Sequence, residues 1–271
     1  MTVLAAAPRG ALAKVTGVIP ALLAVSHGTS SAEGDRAVAG LVRAVAARAD
    51  VLGRLGEVGT TAESDDAARA EVRAAFVDVQ QPDVPSALAA LDGGPPVVVV
   101  PLLLSAGYHV HVDLARTVAA TPRDVVLAAA LGPDERLVDV LERRLVEAGL
   151  LADDVVVLCA AGSSDPRAVA DCRTVATMLA ARTGREIEAA FISAAEPEIG
   201  VAVRAARAAN LGRRVVVSTY LLAPGYFADL AAAAPADVVT APLLVADEPA
   251  PAELVALVLD RYAAAVRTRA S

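Results

Sequence analysis

The chain holds three histidines, all in two short stretches of its first half. His27 stands in SHGTSSAEGD (26–35), and His109 and His111 in SAGYHVHVDL (105–114), close to Asp113. Neutral imidazole, with an ordinary pKa of about 6.5, binds divalent Fe, Co, Ni or Zn at cellular pH. Two histidines and at most one carboxylate leave coordination positions open, so such a site can take up an ion and surrender it. The two cysteines, Cys159 and Cys172, have no CxxC spacing, which argues against a closed structural zinc site. The same imidazoles can act as general bases toward a ligand nitrogen. Both roles fit metal insertion into a macrocycle, where two pyrrole protons leave as the ion enters. His109 and Asp113 are four apart and share a helical face, whereas His109 and His111 point to nearly opposite sides. The expected pair is therefore His27 and His109, with Asp113 orienting His109 and His111 behind it or at the surface.

Elements of strand length must place these loops. Apolar runs alternate with helix-period segments throughout, the pattern of a parallel α/β sheet. The first half reads as strand 20–26, helix 33–49, a Gly-rich irregular stretch, strand 72–79, helix 83–92, strand 97–104, helix 108–120, strand 124–130 and helix 133–148. The second half reads as strand 154–160, helix 166–183, strand 187–193, helix 197–210, strand 213–222, helix 226–234, strand 237–245 and helix 251–267. Continuous runs such as VVVV suit strands buried on both faces. The expected organisation is two similar flavodoxin-like lobes, 19–150 and 151–271, with a cleft between them and residues 1–18 as a loose leader.

The repeat extends to residues. LLAVSHGTSSAEG (22–34) parallels VVLCAAGSSDPRA (156–168), and AAFVDVQQPDVPSAL (74–88) parallels AAFISAAEPEIGVAV (189–203). VVVVPLLLSAGYHVHVDL (97–114) parallels VVVSTYLLAPGYFADL (215–230). His27 is thus set against Ala161, Asp78 against Ser193, and His109 against Phe227. Glycines and apolar residues match in both lobes, and the reactive groups do not. One active site in a duplicated scaffold should look like this, at the carboxyl ends of strands, where ligands bind in parallel α/β sheets.

Composition narrows the partners. A formal charge of −8 argues against a general affinity for nucleic acid or anionic membrane. No run reaches the ~18 apolar residues of a membrane span. The cysteines read as buried thiols of a reducing, cytoplasmic compartment. One chain can complete the cleft, so a monomer is expected.

LLAVSHGTSSAEG, FVDVQQPDVPSAL and VVVVPLLLSAGYHVHVDL together resemble the CbiX/SirB-type sirohydrochlorin chelatases, class II chelatases of sirohaem and cobalamin synthesis. The motifs span residues 20–148, and the second half is similar to the degenerate lobe of two-lobed members. The resemblance implies a sirohydrochlorin substrate, Co²⁺ or Fe²⁺ as the inserted ion with Ni²⁺ in some relatives, and no organic cofactor. It places the metal-binding and proton-accepting histidines on His27 and His109. A Glu that follows the second strand of the family in an FLE pattern falls on Asp78 in FVD, an arm shorter by one methylene. Thr29, Ser30 and Ser31, with backbone N–H groups of the next helix, are expected either to hold substrate carboxylates or simply to cap that helix. Tyr108 and Tyr226 line the cleft or serve packing.

Two other classes use similar residues. An RHG-type histidine phosphatase also puts His-Gly after its first strand, but its phosphate needs a cationic clamp, and Ser26 stands where that Arg would be. A metal or tetrapyrrole carrier would use the same ligands without turnover.

Overall fold

The computed structural model describes residues 18–56, 70–105, 107 and 113–269. The leader, the Gly-rich stretch from residue 57 to 69, and Tyr108, His109 and His111 lie outside them. In chain order the elements are β1 (Ala21–Ser26), α1 (Ala32–Gly56), β2 (Val72–Phe76), α2 (Val84–Ala90), β3 (Val97–Pro101), α3 (Ala115–Ala120), β4 (Val125–Leu127) and α4 (Glu135–Glu147). The second half follows with β5 (Val155–Ala160), α5 (Pro166–Thr183), β6 (Ile187–Phe191), α6 (Ile199–Ala209), β7 (Val215–Tyr220), α7 (Tyr226–Ala232), β8 (Val238–Val239) and α8 (Ala252–Arg269). All strands pair in parallel, in two four-stranded sheets of order β2-β1-β3-β4 and β6-β5-β7-β8. The expected α/β architecture of two parallel-sheet lobes is present.

Both faces of the central strands are buried, which explains their unbroken apolar runs. Leu22 and Ala24 of β1 face an inner core with Leu41, Leu141, Val175 and Leu254 from four helices. Ala21, Leu23 and Val25 face an outer core with Val84, Leu88 and Leu114. A matching outer core lies under α6 in the second half, around Val157, Cys159 and Val203. The inner core is continuous between the sheets, so the two lobes share one apolar interior.

Several elements depart from the expected bounds. The strand expected over 72–79 ends at Phe76, because Val79 turns the chain with a φ of 65°. The strand expected over 237–245 is two residues long. Helix α1 continues through Gly56, beyond the expected end at 49. Of the helix expected over 108–120, the described part begins at Ala115. Helix α5 has the expected bounds: Asp165 caps Arg167 N, Pro166 opens the first turn, and Gly184 ends it at φ 67°.

The last helix of each half crosses over. Helix α4 packs on α5 and β7, and α8 packs on α1, β3 and β4. Arg144 of α4 donates to the Leu243 carbonyl at 3.2 Å, while Arg261 of α8 donates to the carbonyls of Ala130 and Leu131 at 2.8 Å. The Tyr262 hydroxyl donates to the Pro20 carbonyl at 2.6 Å. A division of the chain at residue 150 separates the sheets but not these helices.

Candidate active site

The loops after β1, β3, β5 and β7 open on one cleft of about 700 Å³ between the lobes, within the usual size of a small-molecule site. His27 follows the last residue of β1 and lines this cleft. Its carbonyl accepts from Asp78 N at 3.0 Å, and the Ser26 carbonyl accepts from Val77 N at 2.9 Å. The sheet ladder thus runs past β1 and holds the His27 and Asp78 backbones together. Gly28 makes this approach possible: at φ +93°, its missing Cβ would lie 2.0 Å from the Asp78 carbonyl oxygen. The other lobe repeats the device. Ser193 N donates to the Ala161 carbonyl at 3.1 Å, and a Cβ on Gly162, at φ +92°, would lie 1.8 Å from the Ser193 carbonyl oxygen. Val79 and Ala194 both have positive φ, and the bonds Gln81–Pro82 and Glu196–Pro197 are both cis.

Each lobe also reaches into the loops of the other. A Cβ on Gly34 would lie 2.3 Å from the Pro224 carbonyl oxygen, and one on Gly225 would lie 2.9 Å from Thr29 Oγ1. In the reciprocal contact, a Cβ on Gly107 would lie 3.4 Å from Ala168 Cβ and 3.5 Å from Ser163 Oγ. The pairing of His27 with Ala161 and Asp78 with Ser193 is therefore a correspondence of backbone geometry. His27 and Ala161 line the cleft, whereas Asp78 and Ser193, each one residue before a lining residue (Val79 and Ala194), do not.

The CbiX family model matches residues 21–148 and 155–247. The chain belongs to the CbiX family. A curated relative, the sirohydrochlorin ferrochelatase of Priestia megaterium, is 28% identical over 160 residues, covering 55% of this chain and 60% of that one. The match thus spans less than two thirds of that relative. Two solved structures share the fold. SirB from Bacillus subtilis with Fe³⁺ has a TM-score of 0.66 at 21% identity, over 93% of this chain and 96% of that one. The sirohydrochlorin chelatase SirB from Bacillus subtilis subspecies spizizenii, in complex with cobalt, gives 0.65 at 18% identity, over 92% and 96%.

Within this CbiX fold the expected site residues have different fates. His27, Thr29, Ser30 and Tyr226 line the cleft, and Ser31 is absent from its lining. Ser31 Oγ accepts from Gly34 N at 3.3 Å, and Thr29 Oγ1 accepts from Ser31 N at 3.1 Å. These two hydroxyls thus fold the loop and cap α1, the plainer of the two roles expected of them. Ser30 is exposed. Asp78 is exposed, and its Oδ1 accepts from Val79 N at 2.7 Å, so one carboxylate oxygen is turned toward its own loop. Among the described residues, no three His, Cys, Asp or Glu side chains form a metal-holding group. Asp113 is half-buried just before α3, and its expected partner His109 lies outside the described residues, as do Tyr108 and His111.

Two features of the cleft were not read from the sequence. Gln80 ties the site loops together, with Oε1 accepting from Thr29 N at 2.8 Å and Nε2 donating to Asp35 Oδ1 at 2.9 Å. The repeat sets Gln80 against Ala195, a one-sided polar group that the same comparison could have singled out. The second feature is the apolar wall, formed by Leu102, Leu103, Leu104, Leu221 and Leu222 with Phe227 at the rim. Tyr226 is 69% exposed and meets Phe227 edge to face, with ring centroids 5.8 Å apart. Among the described lining residues there is no Arg or Lys. Cys172 also borders the cleft, but burial pushes its thiol up to about 12. It stays protonated at neutral pH and is a poor metal ligand in that form.

No described helix is long and apolar enough to cross a membrane.

Proposed function

We propose that this chain inserts a divalent ion, Co²⁺ or Fe²⁺, into sirohydrochlorin. The observation that carries the reading is the chemically one-sided cleft of a backbone-symmetric CbiX fold: His27 and Ala161 occupy equivalent positions in its lining, and Asp78 and Ser193 equivalent positions next to it. A flat, largely apolar macrocycle suits the leucine wall. With no cation among the described lining residues, its carboxylates turn toward the mouth, where Ser30 and the Tyr226 hydroxyl can meet them. His27 and His109 bind the incoming ion and accept pyrrole protons, and Asp78 uses its remaining oxygen to assist. The balance is simple: two N–H bonds break, the ion gains the ring nitrogens, and two protons leave through imidazole to water. No electron is transferred, so no organic cofactor is required.

The lobe 19–150 supplies the reactive groups and the lobe 151–271 supplies the opposing wall. One chain provides both walls, so the working unit is a monomer, and its free buried cysteines suit the cytoplasm.

The test is anaerobic absorbance spectroscopy of sirohydrochlorin with Co²⁺ or Fe²⁺, with and without protein. Multiple turnovers above the spontaneous rate, lost in His27→Ala, are expected, and the faster ion identifies the metal. Stoichiometric macrocycle binding without acceleration would make the protein a carrier. Hydrolysis of simple phosphomonoesters, lost in the same variant, would point to phosphatase chemistry.

A further inference from the structure

The second lobe carries no histidine, yet it grips the first lobe's β3–α3 loop. Tyr220, the last residue of β7, is 2% exposed and donates from its hydroxyl to the Leu104 carbonyl at 2.8 Å. Cys172 of α5 lines the cleft together with Ser105. Ala168 and Ser163 bound the space beside Gly107. The packing leaves little room for another partner: a Cβ on Gly132 would lie 2.4 Å from the Tyr220 hydroxyl and 2.2 Å from the Leu104 carbonyl oxygen.

The Tyr220 hydrogen bond is not matched from the other lobe. Tyr220 pairs with Ala160 across its sheet, and in the first sheet Val25 pairs with Pro101. The position equivalent to Tyr220 is therefore Leu102, which has no hydroxyl. The hydrogen bond runs only from the lobe without histidines to the lobe with them, and the gripped segment is cleft wall: Leu102, Leu103, Leu104, Ser105 and Gly107 all line it. His109 follows Gly107 by two residues in sequence.

We propose that Tyr220 is a positioning residue, whose hydroxyl fixes the cleft wall at Leu104 and Ser105 and thereby sets the reacting geometry from the opposite lobe. Its catalytic consequence rests on the chelatase reading. A buried carbonyl that loses its donor carries the cost of its own desolvation, and the loop relieves that cost by moving. Reactions that depend on placement are sensitive to displacements of this kind.

The test compares Tyr220→Phe with Thr219→Val. Thr219 neighbours Tyr220 on β7 and is 1% exposed, and its hydroxyl donates to the Thr240 carbonyl at 2.7 Å, away from the cleft. Each variant loses one buried hydroxyl donor, so both should lose stability in urea. Only Tyr220→Phe should lose kcat for Co²⁺ insertion, roughly tenfold or more per folded molecule, with KM little changed. It alone should also speed amide exchange in peptides spanning Leu102 to Gly107. Equal kcat in the two variants would overturn the proposal. If the wild-type protein gives no turnover, the chelatase reading fails instead, and exchange decides the positioning claim: faster exchange in Tyr220→Phe alone upholds it, and equal exchange refutes it.

Discussion

An alanine at Gly28 and an alanine at Gly162 are the same perturbation made on the two sides of the cleft. Both glycines have φ near +90°, at +93° and +92°, where an L side chain costs about 1–2 kcal/mol. The added Cβ would sit 2.0 Å from the Asp78 carbonyl oxygen in one case and 1.8 Å from that of Ser193 in the other. A C···O contact needs about 3.3 Å, so the opposing backbone must retreat by about 1.3 Å in the first lobe and slightly more in the second. Overpacking of this kind costs roughly 1–3 kcal/mol, and each variant should lose about 2–5 kcal/mol in total. A domain stable by about 5–15 kcal/mol can survive that, and urea melts followed by circular dichroism measure it. The activities should diverge. In Gly28→Ala the retreat separates His27 from Asp78, and a displacement near 1 Å can cost roughly a hundredfold in rate. In Gly162→Ala it separates Ala161 from Ser193, which carry no proposed chemistry, so the loss should be far smaller. Initial rates of Co²⁺ insertion, scaled by the folded fraction, give the comparison. Equal losses per folded molecule would refute a one-sided site.

Replacing His27 or His109 with Ala should cut turnover by roughly 10²–10⁴-fold, the usual contribution of a positioned proton acceptor, while thermal melts stay near wild type. Phe227→Ala, at the position equivalent to His109, should lose much less; a loss equal to that of His109→Ala would misplace the site. Acid should weaken the fold through Asp154, whose buried carboxylate accepts from Arg214 at 2.8 Å and from Leu151 N at 2.8 Å. The Arg214 guanidinium holds its pKa below the ordinary carboxylate value, so the native state releases this proton more readily than the unfolded chain. That contribution is complete above the unfolded value of about 3.9 and is lost as pH falls through the native one. Urea melts from pH 6 to pH 3 should therefore show a steeper loss in wild type than in Asp154→Asn, and parallel curves would remove Asp154 from the account.

The parallel strands, the two lobes and the place of His27 at a strand end were legible because each leaves a local mark. Parallel strands buried on both faces leave apolar runs, and a duplicated backbone leaves matching glycines, Gly28 with Gly162 and Gly107 with Gly225. The crossover of α4 and α8 left no such mark. An amphipathic helix states that one face is buried, but not against which sheet, and both sheets offer the same Val- and Leu-rich inner surface. Bounds failed for a similar reason. Val77 continues the ladder beside Ser26 as a strand residue would, and only the turn at Val79 ends it, at a residue type that rarely marks a positive φ. Ser31 shows the limit at single side chains: a hydroxyl before a helix is a cap or a ligand donor, and only the loop geometry that brings Gly34 N within 3.3 Å favours the cap.

The duplication also explains why the second lobe has the form it has. A Cβ at Gly28 or Gly162 would overlap the facing carbonyl in either lobe, so this close approach is a requirement of the fold and is met twice. Placing a metal ion between a macrocycle and a donor set requires only one donor set, and a second on the opposite face would compete for the same ion. The opposite side is better served by surfaces that hold the ring against the reactive face, and Ala161, Leu221, Leu222 and the Tyr226–Phe227 pair are of that kind. Tyr220 adds a hydrogen bond from that wall to the Leu104 carbonyl, in the segment that precedes His109 in sequence. On the chelatase reading the second lobe has two tasks, packing the ring and fixing the loop: Ala161, Phe227 and Tyr220 stand where the first lobe has His27, His109 and Leu102, while Leu221, Leu222 and Tyr226 keep the residue types of Leu103, Leu104 and Tyr108.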